Sequence, residues 1–198
     1  MKPAGIVKAS PSAAGAEIWL HGNVRPVAVL AGATLGGLGC LAAAAWACGA
    51  GRLVPPVAAA AAIAAVALAV MGLAAARPRL VRRGSALVVR LSPAAVAEVP
   101  IDVVECFFPG SSPLDPRGMP TCADHATWRV NTLVMRLAER AAAHRARRTF
   151  TPWGTWDDGY VVFDGRWCEP LSPDLARGLS RRLLDARREV AAADGDGR

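Results

Sequence analysis

VAVLAGATLGGLGCLAAAAWACGAGRLVPPVAAAAAIAAVALAVMGLAAA, residues 27–76, is a run in which Arg52 is the single charged side chain. Gly51 and Arg52 split it into two stretches of about 24 residues, 27–50 and 53–76. At about 1.5 Å per helical residue each stretch reaches about 36 Å, more than a hydrocarbon core of about 30 Å. The run therefore predicts a transmembrane helical hairpin. Pro55 and Pro56 fall in the first turn of its second helix, where a missing N–H is harmless and the fixed φ suits a helix start.

Neither stretch holds Asp, Glu, Lys, Arg or His. Intramembrane ionisable groups mark ion paths and proton relays, so this hairpin reads as an anchor rather than a transporter. Helices in lipid associate by close backbone approach. Gly32, Gly36 and Cys40 form a row four residues apart, facing a second stretch built largely of alanine. Tight packing is expected, and so is a homo-oligomer through the small-residue face. Trp46 sits near the far end of the first stretch, where an indole suits the interface.

The basic residues are asymmetric about the hairpin. Lys2, Lys8 and Arg25 precede it, and Arg77, Arg79, Arg82 and Arg83 follow it. Under the positive-inside rule both termini lie in the cytoplasm and the short connection lies outside. Membrane topology thus accounts for most of the formal charge of +7, and nucleic acid is not an expected partner. A cleaved signal does not fit, because the first apolar run is too long, starts late and is followed at once by a second. Of the five cysteines, Cys40 and Cys48 belong to the first stretch. The remaining three, Cys106, Cys122 and Cys168, are an odd number in a reducing compartment and do not suggest a disulfide framework.

These readings divide the chain into a cytoplasmic N-terminal segment (1–26), the hairpin (27–76), a soluble β-rich domain with a C-terminal helix (77–192) and a frayed tail (193–198). Residues 80–83 and 86–91 read as strands joined at Gly84-Ser85. Residues 96–108 read as one long strand, either partly buried on both faces or bent by a bulge. Residues 109–127 carry four prolines and read as a long loop, a candidate contact surface. A strand over 128–139, a polar connection over 141–148, and strands over 149–151 and 159–163 follow. Asp164-Gly165 reads as a β-hairpin turn. Ser172 is a good N-cap, with Pro173 at the first helical position and Leu175, Leu179, Leu183, Ala186 and Val190 on one apolar face. The expected class is α+β.

Ala86-Leu87-Val88-Val89-Arg90 leading into Glu98-Val99-Pro100-Ile101-Asp102-Val103-Val104, within about seven short strands closed by one helix, resembles the bacterial pleckstrin-homology-like domains of small two-span membrane proteins. The resemblance covers residues 77–192 at the level of layout and departs from the family at the proline-rich loop. It implies two near-orthogonal sheets, no enzymatic activity or cofactor, and an inner-membrane module that contacts protein partners or anionic lipid. The residues expected to make that contact are Arg77, Arg79, Arg82, Arg83 and Arg166, while Trp153, Trp156 and Trp167 either fill the core and cover its open end or join the contact as an exposed aromatic rim. Two alternatives remain open. Cys106, Cys122, His125 and Cys168 have the chemistry of a zinc set, though their spacing is not that of a finger or ribbon. An enzyme built on the 109–127 loop would need His125, Asp124 and a cysteine to converge; no nucleophile elbow, phosphate loop or metalloprotease helix is present.

Overall fold

The computed structural model describes residues 15–113 and 129–195. The chain is α+β: a pair of N-terminal helices, two antiparallel four-stranded sheets and a C-terminal helix. Helix α1 covers Arg25–Ala47 and α2 covers Val54–Ala76. Both are long and apolar enough to cross a membrane, and almost nothing of either is buried. Gly49, at φ +72, ends α1. Its N–H donates to the Trp46 carbonyl and that of Ala50 to Ala45, which occupies carbonyls the helix end would otherwise orphan.

The glycine row does not serve the pairing of the two helices. Around Gly32, Gly36, Gly37 and Gly39 an added Cβ would meet nothing within 4 Å, whereas one at Gly72 would lie 3.8 Å from Val27. The helices meet instead near their domain ends, where Val27, Leu68 and Ala75 form a small cluster.

The first sheet is β1 (Glu17–Leu20), β2 (Leu80–Arg83), β3 (Ala86–Val89) and β4 (Ala97–Pro100), in that order. Strand β1 lies before the helices and β2 after them, yet they pair, Glu17 opposite Arg82 and Leu20 opposite Leu80. The N-terminal segment is therefore not separate from the β domain: it supplies the edge strand, and the helix pair is an insertion in the β1–β2 connection. Gly84, at φ +58, turns β2 into β3 as expected.

The stretch expected as one long strand is two strands in different sheets. Pro100 ends β4, a 3-10 turn over Ile101–Val103 makes the corner, and β5 (Val104–Pro113) begins the second sheet. Arg187 secures this corner by donating to the carbonyls of Ile101 and Val104. Strand β5 also takes in residues 109–113 of the expected loop; the rest of that loop lies outside the described residues.

The second sheet runs β5, β6 (Arg129–Leu137), β8 (Tyr160–Asp164), β7 (Gly154–Asp157). Residues 149–151 form no strand. The β7–β8 hairpin turns at Asp158 and Gly159, with φ of +46 and +78, and not at the expected Asp164-Gly165, which lies at the other end of β8. Asp164 ends β8 in a turn held by its own carboxylate on the Arg166 N–H at 2.8 Å. Helix α3 (Pro173–Gly195) starts with the Ser172 hydroxyl accepting from the Leu175 N–H at 3.2 Å. Ala176, Leu179, Leu183 and Ala186 carry its buried face, while Val190 is only half-buried. They close one core with Leu87 and Val99 of the first sheet and Phe107, Met135 and Phe163 of the second.

Candidate functional site

The helix pair enters the β domain through a short collar. Residues 21–23 run between the end of α2 and the segment 166–169. Gly22 bridges to Cys168; the Asn23 N–H donates to the Trp167 carbonyl at 3.0 Å and its side-chain amide to that of Arg166 at 3.0 Å. The His21 N–H donates to Glu169 Oε1 at 2.9 Å, and the Glu169 N–H returns to the His21 carbonyl at 3.2 Å. On the other side the fit admits no side chain. A Cβ on Gly22 would stand 2.0 Å from the Ala75 carbonyl oxygen and 2.6 Å from that of Arg77. Trp167, half-buried, packs on both the main core and the Val27–Leu68–Ala75 cluster. The helices and the sheets therefore share side chains at this collar.

Arg79 sits beneath the collar and is 0% exposed. Its guanidinium lies 3.6 Å over the Trp153 ring, and Nε donates to the Trp167 carbonyl at 3.3 Å. The two terminal nitrogens have no hydrogen-bond partner among the described residues. Burial brings its pKa down from the ordinary guanidinium range to about 10. Burial likewise pushes the Cys168 thiol up to about 12, against the pull of Arg79. At neutral pH the charge on this pair is thus a guanidinium beside a neutral thiol, stabilised by the face of an indole.

The structure separates the expected contact residues into three groups. Arg79, Trp153 and Trp156 are core residues and present no surface to a partner, which corrects the contact role for all three. The cause is the closure of the sheets over them: Trp153 underlies Arg79, and Trp156 Nε1 donates to the His144 carbonyl at 2.7 Å. Arg82 and Arg166 are engaged, Arg82 with Glu189 at 2.6 Å and Arg166 with Asp164 at 2.7 Å. The hydrogen bonds that the Arg166 guanidinium donates to the Asp164 carboxylate hold the Arg166 pKa above its ordinary value. Arg77 and Arg83 make no ion pair among the described residues.

Arg90 joins those two. It lies just past β3, its backbone N–H on the Arg79 carbonyl and its guanidinium donating to the Pro78 carbonyl at 3.4 Å. Its pKa is lowered by burial and then by the neighbouring charges of Arg83 and Arg77. Arg77 and Arg90 therefore lie together beside the end of α2, with Arg83 at the turn end of the β2–β3 hairpin. Arg90 was hidden in sequence by its place at the end of an apolar run, and only the β2–β3 register brings it back toward the helix end. Strand β1 was legible in principle: Glu17-Ile18-Trp19-Leu20 is a short aromatic and β-branched run closed by Gly22.

Of the zinc candidates, Cys122 and His125 lie outside the described residues, as does Asp124 of the enzyme alternative. Cys168 is in the core, while Cys106 precedes buried Phe107 on β5, so strand alternation turns it to the other face. No group of three metal-ligating side chains converges among the described residues. Comparisons put nothing beside this chain. No family model, curated protein or solved structure matches it.

Proposed function

We propose that this chain is an integral membrane protein whose helix pair crosses the bilayer and holds a non-enzymatic β domain against the cytoplasmic surface as an interaction module. The observation that carries the reading is the pairing of β1 with β2 across the inserted helices. It requires both ends of the helix pair to open on one side, as two spans with a short far connection do. Exposed Val29, Leu30, Leu41, Ile63, Val66, Val70 and Leu73 give the helices an apolar exterior that water would not tolerate over this length.

Arg25, Arg77, Arg83 and Arg90 then mark the cytoplasmic side, where anionic headgroups contribute about 1 kcal/mol per nearby cation. The order of two sheets closed by a C-terminal helix supports the likeness in layout to bacterial pleckstrin-homology-like domains, and with it an inner-membrane location and a binding rather than catalytic role. The domain's contact to anionic lipid runs through Arg77, Arg83 and Arg90.

Two measurements test this. In cells carrying single-cysteine variants, a membrane-impermeant maleimide should label Cys48, in the connection between the helices, and leave Cys106 unmodified; the reverse pattern inverts the orientation. Recovery of the full chain in the supernatant after alkaline washing removes the membrane reading altogether. For the lipid contact, hydrogen exchange of residues 82–90 should slow in nanodiscs of anionic lipid compared with zwitterionic lipid. The triple change of Arg77, Arg83 and Arg90 to Gln should abolish the difference.

A further inference from the structure

Between α1 and α2, at their domain ends, lies an open groove of about 260 Å³. Ala28, Ala31 and Leu35 line it from one helix, and Ala65, Ala69 and Gly72 from the other. Every side chain in it is apolar. Small residues make it: where α1 and α2 touch through Val27, Leu68 and Gly72, the alanines beside that contact are too short to fill the angle between the helices. From Val24 to Leu35 it runs about 16 Å at 1.5 Å per residue, close to the depth of one leaflet of a hydrocarbon core of about 30 Å.

Two basic residues flank the domain end of the groove along the chain. Arg25 is the first residue of α1, adjoining Val24, and Arg77 caps α2 one turn beyond Gly72. Arg25 stands at the positive end of a helix dipole whose first turn holds no acid, and Arg25 makes no ion pair among the described residues. Arg90, whose guanidinium donates to the Pro78 carbonyl, adds to the positive charge beside Arg77.

We infer that this groove binds one anionic phospholipid, an acyl chain lying along Ala28, Ala31, Ala65 and Ala69 with its phosphate held between Arg25 and Arg77. The inference rests on the membrane reading above and sharpens it from a charged surface to a single lipid site. A one-leaflet length and two flanking arginines fit a lipid. A second transmembrane helix would demand a seat continuing past Leu35 to the far side.

The test uses the full chain in a mild detergent, with native mass spectrometry after addition of phosphatidylglycerol or phosphatidylcholine. Wild type should retain one phosphatidylglycerol per chain and prefer it over phosphatidylcholine about tenfold. The double variant Ala28→Leu/Ala69→Leu fills the groove with apolar atoms and should lose the retained lipid, while Ala59→Leu, outside the groove, keeps it. Arg25→Gln/Arg77→Gln should keep a lipid and lose the headgroup preference. Retention unaffected by A28L/A69L overturns the site, as does a dimer in wild type that A28L/A69L dissociates, because a second copy then fills the groove. A chain that fractionates with the membrane and holds no specific lipid refutes this site alone; a chain absent from the membrane refutes the reading beneath it.

Discussion

Arg79 combines a desolvated charge with a good packing shape, and the two make opposite contributions. The lowered pKa corresponds to a penalty of about 3 kcal/mol for keeping the guanidinium charged in the core. Its stack on Trp153 and its bond to the Trp167 carbonyl offset part of that. Arg79→Met keeps the stem and discards the charge, so it should leave the unfolding midpoint unchanged or raise it. Arg79→Ala opens a cavity over the indole and should cost about 2–5 kcal/mol. Chemical denaturation in detergent distinguishes these outcomes; a loss with Met as large as with Ala would mean that the charge itself holds the collar.

Cys168 gives the same region an alkaline limit. The unfolded thiol ionises from about pH 9, while the folded one keeps its proton to about 12. Over that window the folded state binds more protons, so stability falls as pH rises. Arg79 acts with the opposite sign and later, since its folded form releases a proton only from about pH 10 while the unfolded chain holds it to higher pH. Between pH 9 and 10 the thiol dominates. Stability should drop there by about 1 kcal/mol, and Cys168→Ala should flatten the slope; an unchanged slope in that variant would place the titration elsewhere.

At the scale of elements, the collar is the place where one methyl group matters. Gly22→Ala drives a Cβ onto the Ala75 and Arg77 carbonyls, so the segment must move away from α2. We expect a loss of about 1–3 kcal/mol, seen as faster hydrogen exchange in β1 and at residues 166–169 with the rest of the second sheet unaffected. The same comparison shows which elements sequence could reveal. Helices α1, α2 and α3 follow from composition, periodicity and caps within their own residues, and the β2–β3 hairpin from Gly84. Strand β1 has no partner near it in sequence, and the break at Pro100 looks like continuous strand because residues 97–108 are apolar on both sides of the corner. The turn at Asp158-Gly159 and the one at Asp164-Gly165 offer the same chemistry, and only the pairing of β7 with β8 decides between them.

The candidate site was less legible than the fold for a related reason. Arginines in a row after a long apolar segment all read as surface charge. Arg79 differs from Arg77 only in pointing under a sheet whose edge is supplied from residues 17–20. Burial of that kind is a property of the closed molecule. The aromatic cluster 153–167 divides the same way, with Trp153 and Trp156 inside and Trp167 at the junction.

For the molecule as a whole, the structure predicts where it can be cut. A fragment starting at residue 77 lacks β1 and leaves Leu80 and Val81 at an open sheet edge. It should aggregate or fail to give cooperative unfolding. Replacing residues 23–77 by a short Gly-Ser turn keeps β1 beside β2 and should yield a soluble, cooperatively folded β domain, measured by circular dichroism and thermal melting. Equal behaviour of the two fragments would show that β1 is dispensable.

The inserted helices also impose a timetable on synthesis. Glu17 leaves the ribosome 65 positions ahead of Arg82, its partner in the sheet. At roughly 5–20 residues per second, β1 waits for several seconds while both helices are made. On the proposed membrane reading, sheet closure would be the last report on helix insertion: a nascent chain that had threaded only one helix would have its β1 and β2 on opposite faces of the bilayer. Such a chain cannot complete its first sheet, and its exposed strands mark it for proteolysis.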